Sequence, residues 1–138
     1  MYKRQAPNYY LNEISAAIGL VQLEKLDRLN TRRKEIARRY YNEIRTDSKM
    51  PYSDDCVYHL YWILSPKRNE LIKHMNDRKI EVGTHYRPIN TMSAYRKLCN
   101  ARIPITEKVG TEIITIPIHT NLSDEDVSHI IHSINEFI

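Results

Sequence analysis

Asn8-Tyr9-Tyr10-Leu11-Asn12-Glu13-Ile14-Ser15-Ala16-Ala17-Ile18-Gly19-Leu20-Val21-Gln22-Leu23-Glu24-Lys25-Leu26 joins a helix start to an apolar seam. A Tyr-rich polar turn leads into a long helical pattern. Asn12 has a side-chain oxygen suited to capping a helix that begins at Glu13. Ile14, Ala17, Ile18 and Val21 then recur at the three-and-four spacing that places apolar side chains on one helix face. A second seam follows through Leu26, Leu29, Ile36, Ala37, Tyr40 and Ile44, with Arg32, Arg33, Lys34, Arg38 and Arg39 between its members. The stretch predicts two helices in series.

Working toward the C-terminus, Thr46 to Asp55 is polar, holds Pro51 and reads as a loop. Val57 to Leu64 combines β-branched and aromatic residues and predicts a strand. Ser65-Pro66 offers a cap and a first-turn proline for a helix with an inward stripe of Leu71, Ile72 and Met75, ending near Lys79. Ile80 to His85 predicts a second strand, Tyr86 to Asn90 a loop, and Met92 to Leu98 a short helix. A third strand is expected at Glu112 to Ile118, with Ile114, Ile116 and Ile118 on one face. Ser123 and Asp126 resemble a capping box, and Val127, Ile130, Ile131, Ile134 and Ile138 follow at helical spacing. Helices alternating with about three short strands imply an α/β fold: a two-layer sandwich, with a small antiparallel or mixed sheet and helices on one side.

The chain has 138 residues, 41% hydrophobic and 28% charged with three glycines, which suits one ordinary globular domain rather than a disordered or fibrous chain. No apolar run approaches the roughly 20 residues a membrane-spanning helix needs, and the N-terminus lacks the apolar core of a signal peptide, so no membrane partner and a cytoplasmic location are expected. Cys56 and Cys99 are too few for a disulfide framework or a zinc site and are expected to be reduced. The basic run Arg32 to Arg39 and the net charge of +4 invite a nucleic-acid reading. Glu24, Asp27, Glu35 and Glu43 interleave with it, however, as on a solvated salt-bridged face, and no nucleic-acid partner is expected. His59 falls in a predicted strand, His74 on a polar helix face, and His129 and His132 on the outer side of the last helix, while His119 is expected to pack. No histidine pair carries the spacing and third ligand of a metal site.

Beyond its periodicity, Asn8 to Leu26 resembles a segment of the DegT/DnrJ/EryC1/StrS aminotransferases, pyridoxal-phosphate (PLP) enzymes that act on nucleotide-linked keto sugars. The resemblance continues in Arg32-Arg33-Lys34-Glu35-Ile36-Ala37-Arg38-Arg39-Tyr40, Val82-Gly83-Thr84-His85-Tyr86-Arg87-Pro88 and Ser93-Ala94-Tyr95-Arg96, then in Ile116-Pro117-Ile118-His119 and Leu122-Ser123-Asp124-Glu125-Asp126-Val127. It implies the C-terminal small domain of such an enzyme, residues 8–138 with the helical segment 13–45, after a leader 1–7 outside the family pattern. In the family the cofactor sits in a larger N-terminal domain, where a lysine forms the Schiff base and a carboxylate pairs with the pyridine nitrogen. None of the nine lysines here matches that position. The resemblance thus implies a fragment without a catalytic residue of its own, part of a homodimeric transaminase with glutamate as donor. A non-catalytic binding module keeping the small-domain fold, and a family dehydratase, remain alternatives.

By the same resemblance Asn8, in a turn of the Gly-Tyr-Asn-Tyr-Arg type, binds the cofactor phosphate of the neighbouring subunit. On residue type alone it serves equally as a turn residue. The family's arginine is replaced by Tyr10 and its glycine-tyrosine pair by Ala6-Pro7, which puts that arginine's role in doubt. His85 and Tyr86 match a His-Tyr pair at the substrate pocket, and Asn90 stands where members carry a further histidine. All three are candidate substrate-binding residues, although His85 alone also reads as a hydrogen-bonded histidine at a strand end. Asn90 is able to donate to a sugar hydroxyl but not to shuttle a proton near neutral pH.

Overall fold

The computed structural model describes residues 10–96 and 101–138. Asn8, Cys99 and the last two positions of the helix expected over Met92 to Leu98 lie outside the described residues. Among the described residues no helix is long and apolar enough to cross a membrane.

The first two helices stand in series as expected: α1 over Glu13–Glu24 and α2 over Leu26–Glu43. The Asn12 carboxamide caps α1 by accepting the Ser15 N–H at 2.8 Å. The two seams have different fates. In α2, Ile36, Ala37 and Tyr40 are fully buried, and Ile44 just beyond is nearly so. In α1 no side chain is buried, and Ile14 and Ile18, expected to face inward, are 75% and 58% exposed. Leu20 and Leu23 are exposed on the other side, so α1 is apolar all round rather than amphipathic, a composition that suits a helix covered by further protein.

The sheet is smaller than the sequence suggested. Strand β1, Tyr61–Leu64, pairs antiparallel with β2, Ile113–Ile116, in the register Tyr61↔Ile116 to Leu64↔Ile113. Tyr58 has φ of 48°, which breaks the extended run that Val57 to Leu64 predicted, and its ring turns into the core while its hydroxyl oxygen accepts the Ser53 N–H at 2.6 Å. The strand expected over Ile80 to His85 touches β2 at one residue pair: Gly83 N–H donates to Thr115 O at 2.9 Å and Thr115 N–H to Gly83 O at 2.7 Å. The chain then enters the loop of Pro88, which has no N–H to extend a ladder. A matching bridge, Lys49 to Ile63, borders the other edge.

Tyr61 and Ile63 of β1 and Ile114 and Ile116 of β2 share one sheet face and join α2, α3 (Arg68–Asp77) and the C-terminal helix in one core. Trp62 and Thr115 lie on the other face. This is the two-layer arrangement with helices on one side. Helix α3 starts two residues after Pro66, and Ser65 Oγ accepts the Lys67 N–H at 3.2 Å in the preceding turn rather than capping the helix. A 3-10 turn, Ile89–Thr91, and α4, Ser93–Arg96, follow the loop. Helix α5, Pro104–Glu112, was not expected from periodicity, but Pro104 at its first turn and Glu107, accepting the Ile103 N–H at 3.2 Å, are start signals. Helix α6, Asp124–Phe137, carries the expected capping box: Ser123 Oγ accepts the Asp126 N–H at 3.1 Å and Asp126 Oδ2 accepts the Ser123 N–H at 2.9 Å.

The basic run of α2 does more than face solvent. Arg32 donates to Leu122 O at 2.7 Å and pairs with Asp124 at 2.9 Å, and Arg39 donates to Asp124 O at 3.1 Å and Ser128 Oγ at 2.9 Å while gripping Glu43 at 2.8 Å. These arginines tie α2 to the first turns of α6. His74, expected on a polar face, donates from Nε2 to Ser133 O at 2.8 Å and meets Phe137 edge-on, joining α3 to α6.

Tyrosines make up much of the core. Tyr40 and Tyr61 meet edge to face at 5.2 Å, and their hydroxyls donate to Pro117 O at 2.7 Å and Met50 O at 3.0 Å. Burial, the first cause in each case, raises both phenols well above the ordinary tyrosine range. A buried phenol stays protonated while its unfolded counterpart ionises, so stability present below about pH 10 is lost as pH rises beyond it. The urea midpoint should therefore fall steeply above about pH 10. Tyr40→Phe should cost about 1–3 kcal/mol at neutral pH and flatten the alkaline slope. An alkaline profile identical in the two proteins would contradict the burial account.

Candidate functional site

The open sheet face and the Gly83 edge build one groove. Along this edge residues alternate, Gly83 and His85 toward a groove of about 340 Å3 and Thr84 toward a second of about 260 Å3. His85 is held from below: its Nδ1 lies 2.6 Å from Thr115 Oγ1. Tyr86 stands edge-on to the His85 ring at 4.9 Å and is 70% exposed. Glu81, His59 and His119 complete the polar lining of the first groove. His59 is exposed and lies before β1 rather than inside a strand, and His119, expected to pack, is exposed as well.

Asn90 sits apart from this pair. Its Nδ2 donates to Glu107 Oε1 at 2.7 Å, tying the loop to α5, and its buried Oδ1 has no partner among the described residues. Arg87, which follows the His-Tyr pair, folds back on the loop through Thr91 Oγ1 and Thr91 O, both at 3.1 Å. Arg68, on the second groove, donates to Gly110 O at 2.7 Å. The structure thus brings His85 and Tyr86 together and sets Asn90 in a structural tie. Asn8 lies outside the described residues. Sequence reasoning missed Thr115, and named Gly83 only as a member of the motif around His85. A lone polar residue between Ile114 and Ile116, where the other strand positions are apolar, is the signal that points to Thr115.

The described residues of this groove do not fit PLP unaided. No lysine lines it, so no amine is placed to meet the cofactor's carbonyl. Lys34 is engaged with the Asp54 carbonyl and Lys49 with the Ile44 carbonyl and the Tyr41 ring. Nor does the groove hold arginine, the side chain best shaped to take a phosphate bidentately. The polar lining, three histidines beside a carboxylate and a threonine, suits hydrogen bonding to hydroxyls. Among the described residues no group of three or more His, Cys, Asp or Glu side chains is arranged to hold a metal ion. Asp126, close by at the start of α6, is held below the usual carboxylate range first by the Ser123 N–H and then by its hydroxyl.

The sequence profile of the DegT/DnrJ/EryC1/StrS aminotransferase family matches residues 2–135. The chain belongs to this aminotransferase family. It is similar to the GDP-perosamine synthase of Escherichia coli O157:H7, 37% identical over an alignment 136 positions long that covers 94% of this chain and 37% of that protein. Among solved structures, PseC of Helicobacter pylori, an aminotransferase in the biosynthesis of pseudoaminic acid, superposes with a TM-score of 0.84 at 31% identity, over 99% of this chain and 40% of that one. Spr1654 of Streptococcus pneumoniae, solved in its PLP form, superposes with a TM-score of 0.81 at 30% identity, over 91% of this chain and 35% of that one. The chain therefore spans between 35% and 40% of the length of these aminotransferases.

Asn90→Ala should lower stability by about 1 kcal/mol, the loss of its bond to Glu107 Oε1, which keeps the Ile103 N–H as its other donor. Unchanged thermal stability would contradict the structural tie between loop and α5.

Proposed function

We propose that this chain is the C-terminal part of a PLP-dependent aminotransferase that transfers an amino group, from glutamate, to a nucleotide-linked keto sugar within a cytoplasmic homodimer. The observation that carries the reading is the 37% identity to GDP-perosamine synthase across nearly the whole chain. Two features of the structure support it. Helix α1 is apolar on all sides and has no buried residue, as suits a helix that packs against protein beyond the described residues. The His85 groove offers imidazole, hydroxyl and carboxylate groups suited to hydrogen bonding with a sugar, and no lysine lines it.

In this reading the groove is the rim of the substrate pocket. His85 binds the ligand through Nε2, which has no hydrogen-bond partner among the described residues, and Tyr86, largely exposed beside it, closes the rim. Asn8 reaches the cofactor phosphate of the neighbouring subunit. The amine, the pyridine partner and the remainder of the cofactor cradle belong to the part of the relatives' length that this chain does not span.

The reading predicts that the 138-residue chain alone does not carry the cofactor. Mixed with PLP and reduced with borohydride, it should show no stoichiometric pyridoxyl label on any single lysine by peptide mass mapping. A stoichiometric label at one lysine would contradict the assignment.

A further inference from the structure

The His85 ring is bounded on two sides by Thr115 and Gly83. Thr115 is 5% exposed and sits in the middle of β2, its main chain bonded in both directions to Gly83. Its hydroxyl, 2.6 Å from His85 Nδ1, has no other partner among the described residues. With Nδ1 as the one acceptor within its reach among the described residues, the hydroxyl can donate there, the arrangement in which a neutral imidazole keeps its proton on Nε2. Gly83 makes room for this arrangement. A Cβ at Gly83 would stand 2.4 Å from His85 Cε1, 2.9 Å from Nδ1 and 3.0 Å from Thr115 Oγ1, too close for the ring and the hydroxyl to keep their places.

We propose that Thr115 is a positioning residue for His85, holding the ring as an Nε2–H donor aimed at an oxygen acceptor of the nucleotide-sugar ligand, in the space that Gly83 leaves open. The proposal rests on the sugar-aminotransferase reading for the ligand, but not for the lock itself. A threonine in the middle of a sheet strand is a rigid anchor: its backbone is fixed by β1 on one side and by Gly83 on the other, and its branched side chain has little rotamer freedom. A histidine on a loop edge gains from it the one orientation and the one tautomer that a neutral hydrogen-bond donor requires. The acceptor is an oxygen of the sugar or of the diphosphate.

Two measurements test this. In the 15N-histidine-labelled chain, long-range nitrogen–proton correlation should show His85 protonated at Nε2 and bare at Nδ1. Thr115→Ser should keep that pattern, whereas Thr115→Val, which has nearly the same shape, and Gly83→Ala should move both nitrogens toward a tautomer average. In the complete aminotransferase, Thr115→Val should raise KM for the nucleotide sugar about tenfold, as expected for losing one hydrogen bond, with kcat within about twofold, and Thr115→Ser should restore it. If inhibition by the free nucleoside diphosphate weakens equally, the acceptor is a phosphate oxygen; if only the nucleotide sugar is affected, it is a sugar oxygen. A wild-type His85 protonated at Nδ1, or a Thr115→Val spectrum identical to wild type, overturns the positioning role. A locked tautomer with unchanged KM in Thr115→Val overturns the ligand assignment. A locked tautomer in a complete protein without transaminase activity leaves the lock standing and sinks the functional reading instead.

Discussion

The reciprocal main-chain bond between Gly83 and Thr115 is the constraint on which the rest of the structure turns. Strand β2 is paired with β1 on one side, and this single bridge is what it holds on the other. The bridge fixes the edge segment against the sheet at one point, and side-chain alternation from there sends His85 toward one groove and Thr84 toward the other. Because the same threonine meets His85 through its hydroxyl, sheet and site are joined at one residue. A loop histidine in this way acquires the rigidity of a strand without being part of one.

Behind the sheet, the helical layer is clamped by two kinds of contact. Apolar burial supplies most of the driving force, through Ile36, Tyr40, Leu71, Val127 and Ile134, all fully buried. Direction comes from charge. Arg32 and Arg39 reach from α2 to the start of α6, where Leu122 O, Asp124 and Ser128 receive them. The capping box of Ser123 and Asp126 orders those same residues from within. The side chains involved are partly exposed, so each pair adds little to stability. Their effect is to set the register of one helix against the other.

Much of this was legible in the sequence, and the failures have physical causes. The helices α2 and α6 follow their apolar periodicity because that periodicity matches burial. Helix α1 follows its capping signal, yet its seam is not buried, since nothing in the described residues covers it. The strand over Val57 to Leu64 was overestimated because tyrosine's strand preference lost to a left-handed turn at Tyr58 that places its ring in the core. Helix α5 was missed because it carries only Ile105 and Val109 at helical spacing, too few to read as a stripe, although Pro104 and Glu107 mark its start. At the site, His85 and Tyr86 were recognisable through their resemblance to the family's His-Tyr pair. Asn90 sits in the same loop but is drawn away by Glu107, a partner 17 residues distant that no local pattern reveals. Thr115 is marked in the sequence as a polar residue between two isoleucines, but its contact with His85, 30 residues away in the chain, is not.

The account stands most directly on whether the Gly83 edge is a true part of the sheet. Native-state amide hydrogen exchange at Gly83 and Thr115 tests it. The account predicts that both amides exchange as slowly as those of Ile114 and Ile116 in β2, and far more slowly than that of Thr84 beside them. Gly83 and Thr115 amides exchanging at the rate of the neighbouring loop would contradict it.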